Sequence, residues 1–282
     1  MHIFHLFFIF LLSVLSQTLH AQSVQNTAKK LTVGVVPQFS ASEIARNWLP
    51  FLTELSAASD TVLELKAFPS IPQFEKAFLA GETDLVFMNP YHAVMAHKAQ
   101  GYVPLVRGSQ MLQGILVVNR ASKINKIQQL ANESVAFPSP NAFGASLYMR
   151  ALLQTEGVPV APVYVSTHSN AYRQVATGQV VAAGGIRSTF ERESPELRNQ
   201  LRVMFETPPA AAHPLAAHPR VKAPTQQALA QAIIHMQQTE VGQALLKGVG
   251  LAQPVAAQYK QDYAPLERYG LERFVVLESN QP

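Results

Sequence analysis

The chain has no cysteine, a single tryptophan and few charges. The missing thiol excludes disulfide scaffolds, thiolate metal sites and cysteine nucleophiles together. Charged residues are 14% of the 282, against 48% apolar, a composition that can bury a sizeable core and does not resemble a disordered chain. Basic clusters are also scarce: the net charge of +4 is spread along the chain, and Lys29-Lys30 is the only adjacent basic pair. No basic run has interleaved aromatics, so nucleic-acid binding is not expected. A mild positive field favours an anionic solute or an anionic membrane surface instead.

Catalytic signatures are missing too. There is no phosphate-binding Gly-Lys-Ser/Thr loop, and Ser146, in Gly144-Ala145-Ser146-Leu147-Tyr148, lacks the second Gly of a nucleophile elbow. His92 and His97 are five apart and fall on different helix faces, and His213 and His218 flank prolines, so no helical metal pair is expected. No paired carboxylates stand at strand ends. The expectation is a protein that is not an enzyme and carries neither cofactor nor metal.

Long apolar runs are confined to the start. Leu6 to Leu12 is unbroken and extends through Val14-Leu15, short of the ~20 residues a membrane-spanning helix needs. Polar Ser16 to Thr18 and then Leu19-His20-Ala21 come next, with Ala21 a small residue suited to cleavage. Residues 1–21 therefore read as a secretory signal peptide and 22–30 as a polar leader. An uncleaved N-terminal anchor is the rival, because the first residues carry no Lys or Arg. With no Cys after the cleavage site, a lipid anchor there is excluded.

Beyond residue 30, β and α signals alternate. Leu31 to Val36 is a short β-rich run ended by Pro37, and Ile44, Trp48, Leu49, Leu52 and Leu55 then recur at helical spacing. Val62 to Phe68 reads as a strand, and Ser70 caps a helix carrying Ile71, Phe74, Phe78 and Leu79. Asp84 to Met88 is a strand, and Asn89-Pro90 opens a helix with Pro in its first turn. Val103 to Val106 and Leu112 to Val118 are further strands. A second series has strands at Val135 to Phe137, Val163 to Val165, Val180 to Ile186 and Leu201 to Phe205. One of its helices begins after Asn141, and another spans about Ser169 to Ala176. A Pro/Ala-rich stretch, Pro208 to Pro219, leads to helices at about Thr225 to Met236 and Gly242 to Leu246. Repeated βα units imply mostly parallel sheets covered by helices. Two series with two crossings predict two α/β lobes, 31–113 plus 215–282 and 114–214.

In open α/β sheets, ligands bind beyond the carboxyl ends of the strands. Those ends are Pro37-Gln38-Phe39-Ser40, Met88-Asn89-Pro90-Tyr91, Ser139 to Gly144, Thr167 to Asn170 and Gly184 to Thr189. All are rich in Pro, Gly, Asn, Ser or aromatics. Several lead straight into helices, whose free N–H groups attract anions. Candidate ligand-binding residues are Gln38, Phe39, Met88, Asn89, Tyr91, Asn141, Phe143, Gly144, Ser146, His168, Arg187 and His213. Plainer roles compete: a helix start for Asn89, a solvated charge for Arg187, a brace for a proline-rich crossing for His213.

Phe87-Met88-Asn89-Pro90-Tyr91-His92 and Gln100-Gly101-Tyr102-Val103-Pro104-Leu105-Val106-Arg107 resemble the phosphate/phosphite/phosphonate-type (PhnD-like) binding proteins of ABC transporters. So do Val135-Ala136-Phe137-Pro138-Ser139-Pro140 and Thr167-His168 with Ala176-Thr177-Gly178. The likeness covers about Leu31 to Leu251. It implies a type II periplasmic-binding fold, two α/β lobes on a two-strand hinge, with a cleft that closes on its ligand. It also implies delivery to an inner-membrane permease. Phosphonate binders of this group carry Ser-Thr-Ser-Gly in the turn where this chain has Ala142-Phe143-Gly144-Ala145, and often an Asp where it has Val181. The hydroxyl donors are gone, and Phe143 is expected to present its ring to the cleft. The expected protein is a periplasmic, monomeric solute receptor for an oxyanion or carboxylate. The alternative is a ligand sensor that docks on a membrane kinase.

Overall fold

The computed structural model describes residues 30–276, so the expected signal peptide and most of the leader lie outside the described residues. The chain runs β1 (Leu31–Val35), α1 (Ala41–Ser59), β2 (Leu63–Lys66), α2 (Ile71–Leu79), β3 (Leu85–Phe87), α3 (Pro90–Gln100) and β4 (Val103–Gly108). It continues through β5 (Gly114–Asn119), β6 (Ser134–Phe137), α4 (Tyr148–Thr155), β7 (Ala161–Tyr164), α5 (His168–Ala176) and β8 (Ala182–Ile186). Then come α6 (Arg187–Glu191), α7 (Pro195–Gln200), β9 (Leu201–Glu206), β10 (Pro214–Ala217), α8 (Ala223–Met236), α9 (Glu240–Gly248) and β11 (Pro254–Ala256). Short helical pieces complete the C-terminal segment from Tyr259 to Phe274.

These strands form two sheets, ordered β11-β4-β10-β3-β1-β2 and β7-β6-β8-β5-β9. In the first, β1 pairs in parallel with β2 and β3. In the second, β6 pairs in parallel with β7 and β8. The chain passes between the sheets twice, after β4 and after β9. The two passes are zipped by a reciprocal backbone pair, Leu112 N–H to Ala210 O at 2.8 Å and Ala210 N–H to Leu112 O at 2.9 Å. The Thr207 hydroxyl adds a bond from the Gly114 N–H at 2.9 Å. Among the described residues no helix is long and apolar enough to cross a membrane.

Side-chain alternation explains why the second sheet lies between helices. Ile115 and Val117 enter one buried cluster with Tyr172 and Val175 of α5. Leu116 and Val118 enter another with Met149 and Leu153 of α4. Successive strand residues point to opposite faces, so a run apolar at every position needs cover on both.

β10 departs from the sequence-based expectation. Pro208 to Pro219 predicts a linker, yet Pro214–Ala217 is a fully buried strand inserted antiparallel between β3 and β4. A Pro-Leu-Ala-Ala tetrapeptide has little β preference of its own, and pairing on both sides imposes the strand. The C-terminal segment after β11 folds as short helical turns packed against α3 and α4.

Phe143–Leu147 is a wide π turn that leads into α4. It lies so close to the second sheet that a Cβ on Gly184 would stand 2.0 Å from the Ala145 carbonyl oxygen. A Cβ on Gly114 would stand 2.2 Å from that of Gly144. Glycine at both positions is what lets this helix start sit directly on β5 and β8. Overpacking against rigid backbone costs about 1–3 kcal/mol, so Gly184→Ala is expected to lower the urea midpoint accordingly. An unchanged midpoint contradicts the close approach.

Candidate functional site

The ends of β1, β2, β3 and β7 each feed a helix with a side-chain cap. Ser40 accepts from the Glu43 N–H, Ser70 from Gln73, Asn89 from His92 and Thr167 from Asn170. Short polar caps are favoured where a chain leaves extended geometry for a helix, and this is why the turns are rich in Ser, Thr and Asn. The turns of both sheets meet across a cleft of about 500 Å³. The first sheet contributes the turn after β1, with Val36, Gln38 and Phe39, together with Asn89 and His213. The second contributes Pro138, Ser139 and Asn141 to Gly144 after β6, Ser166 to Ser169 after β7, and Ile186, Thr189, Arg192 and Glu193 after β8.

Two imidazoles stand in the wall. Burial, with the Arg192 charge added, pushes His168 down to about 4, and its Nδ1 is buried without a hydrogen-bond partner. Burial and the neighbouring His92 push His213 down to about 3, and its ring stacks on Phe87 at 5.6 Å. Both are therefore neutral near pH 7. The charges of the cleft are Arg192, whose Nε donates to the Ser188 carbonyl at 3.2 Å, and Glu193, which accepts from the Ser169 hydroxyl. Among the described residues Arg192 has no carboxylate within ion-pair distance. No group of three or more His, Asp or Glu placed to hold a metal occurs among the described residues.

A cleft between two α/β lobes, lined by the carboxyl ends of parallel strands, invites comparison with solute receptors. The family described as "ABC transporter, phosphonate, periplasmic substrate-binding protein" matches residues 33–263. The chain belongs to this family. Its members are receptors of transport systems and not enzymes, and their fold is the type II periplasmic-binding fold. PhnD1 from Prochlorococcus marinus (MIT 9301), solved with methylphosphonate, is 18% identical with a TM-score of 0.74, covering 87% of this chain and 98% of that one. A binding-protein component of an ABC phosphonate transporter from Pseudomonas aeruginosa is 16% identical with a TM-score of 0.71, covering 88% of each chain. A Xanthomonas citri protein bound to ATP is 14% identical with a TM-score of 0.76, covering 88% of this chain and 99% of that one. No curated protein sequence matches.

Of the residues singled out from this phosphonate-family sequence, Gln38, Phe39, Asn89, Asn141, Phe143, Gly144, His168 and His213 line the cleft. Four do not. Met88, just past β3, is fully buried, its apolar side chain taken up by the first core. Tyr91 points to the C-terminal segment, where its hydroxyl donates to Glu272 at 3.2 Å. Ser146 is fully buried and accepts from Arg150 Nε at 3.2 Å. Arg187 is drawn outward by Glu206 and Glu191. Phe143 lines the wall at 3% exposure, its ring stacked on Tyr148 at 5.4 Å instead of projecting into the cleft.

Sequence reasoning missed Arg192 and Glu193, which lie beyond the strand-end turn after the short α6. It also missed Ile71 and Leu112, whose apolar character reads as core. The signal for Arg192 was its place five residues after Arg187, past the short helix that carries the chain back to the cleft.

The unfolded chain holds both imidazoles near the ordinary value of about 6.5. Below that pH it binds protons that folded His168 and His213 refuse, so stability is full above about 6.5 and falls as pH drops toward 4. His213→Gln is expected to flatten part of the fall in urea midpoint between about pH 6.5 and about pH 4.5. Parallel curves for variant and parent contradict it.

Proposed function

We propose that this protein captures a small anionic solute, bearing a phosphonate-like or other oxyanion or carboxylate group, between its lobes and delivers it to an inner-membrane ABC permease. The observation that carries the proposal is the unpaired guanidinium of Arg192 beside helix starts at Phe143 and His168 in one cleft. Helix N-termini present N–H groups and a positive dipole end, and a guanidinium adds a charged fork. The other cationic candidates are engaged elsewhere: Arg187 with Glu206, and Arg150 with backbone carbonyls. Relatives of the same fold were solved with anions, methylphosphonate in one and ATP in another.

The ligand contacts are Gln38, Phe39, Asn89, the 141–144 turn, His168, Arg192 and His213. Ala142-Phe143-Gly144-Ala145 supplies no hydroxyl, so recognition falls to backbone N–H groups and Arg192. A cleft of about 500 Å³ falls within the range that houses solutes much larger than methylphosphonate. Lobe 1 comprises 31–113 and 215–282 and lobe 2 comprises 114–214. Export uses residues 1–21 as a signal peptide, and the mature receptor is a monomer.

A thermal-shift panel of phosphate, phosphonates, sulfate, amino acids and aromatic carboxylates, followed by calorimetry, tests the proposal. A solute at about 100 times its Kd stabilises the fold by about 2.7 kcal/mol. A charged hydrogen bond contributes about 1.5–3 kcal/mol, so Arg192→Gln is expected to weaken the best anion about 10- to 100-fold and leave the unliganded melting temperature unchanged. A neutral solute that binds best and ignores Arg192→Gln contradicts it.

A further inference from the structure

Asn141 lines the cleft, but its side-chain amide is already consumed. Its Nδ2 donates to both carboxylate oxygens of Glu75, at 3.0 and 3.1 Å, and to the Val276 carbonyl at 2.9 Å. Its Oδ1 accepts from the Val276 N–H at 3.0 Å. An Asn amide has two N–H donors, so three acceptors leave none for a solute. Glu75 belongs to α2 on the first sheet, is 2% exposed and does not line the cleft. Its Oε1 also meets His92 Nε2 at 2.9 Å, and His92 is held through its N–H by Asn89. Asn141 belongs to the turn after β6 on the second sheet. The buried contact therefore joins the two lobes directly.

The segment that brings Val276 to this point is tied to both lobes. On the first lobe Tyr259 stacks on His97 at 3.6 Å, and Glu267 pairs with Lys98 at 2.8 Å. On the second, Arg150 of α4 donates to the Phe274 carbonyl at 2.9 Å, and Tyr269 packs edge-on to Tyr148 at 4.9 Å. Burial lowers the Arg150 guanidinium from its ordinary value, and the carbonyl oxygens of Pro140 and Phe274 and the Ser146 hydroxyl are its polar partners.

We infer that Glu75, Asn141 and the backbone of Val276 form an interlobe latch, and that Glu75 sets solute affinity through the open–closed equilibrium without touching the solute. Opening the cleft would separate Asn141 from Glu75 and leave the buried carboxylate without its two amide contacts, His92 remaining beside it. The latch thus favours the closed arrangement before any solute arrives. A solute whose competent state is already populated binds with less loss of affinity.

The test needs no solute, so its failure is distinct from failure of the anion-receptor proposal. The chain has no cysteine, and spin labels at Ser42→Cys and Arg173→Cys, both exposed, report the distance across the cleft mouth. The exported chain is expected to show a populated short distance. A chain ending at Phe274, which loses both Val276 bonds, and Glu75→Gln are each expected to lower the closed-to-open ratio about tenfold, the scale of one or two buried hydrogen bonds. Circular dichroism and the melting temperature check the fold. If Glu75→Gln fails to fold, the shortened chain decides, because it leaves Glu75 in place. An unchanged distance distribution in the folded shortened chain, or no short-distance population in the parent, overturns the latch.

Discussion

The arrangement of the whole molecule depends on two chain passes zipped at Leu112 and Ala210. Two passes held as an antiparallel pair keep the sheets side by side and turn their strand ends toward each other. Parallel strands place all their carboxyl ends on one edge, where helices begin. The facing edges therefore collect helix N-termini, capping hydroxyls and proline turns from both sheets. The cleft is a consequence of this topology, and the composition of the turns decides what it accepts.

Electrostatics within the cleft are economical. Burial keeps His168 and His213 neutral, so neither adds charge near pH 7. Arg187 and Arg150 are satisfied by Glu206 and by backbone carbonyls. Arg192 remains, and the neighbouring Glu193 carboxylate is occupied by the Ser169 hydroxyl. A hydroxyl-poor turn at Ala142 to Ala145 shifts recognition from side-chain donors to backbone N–H groups. The Asn141 amide, engaged by Glu75 and Val276, couples the shape of that turn to lobe closure.

Most of the architecture was legible from local patterns. Apolar residues at helical spacing placed α1 and α2, Ser70 marked the start of α2, and the apolar run Ile115 to Val118 marked β5. The strand-end rule placed Gln38, Asn89, Asn141 and His168 on one cleft. What stayed hidden depends on tertiary contacts. β10 exists because β3 and β4 flank it, and the C-terminal turns exist because α3 and α4 hold them. Tyr91, Ser146 and Arg187 looked available because a strand-end position says where a backbone lies and not where a side chain finds its partner. Glu75 was invisible as a site residue because a lone acid inside an amphipathic helix ordinarily faces water.

Hydrogen–deuterium exchange with and without the best solute from the anion panel tests the central claim most directly. Clamping between lobes predicts that residues 36–39, 139–144 and 166–169 all gain protection at the same solute concentration. Protection confined to the turns of one sheet, or appearing on a surface away from these turns, would contradict a receptor that closes on its solute.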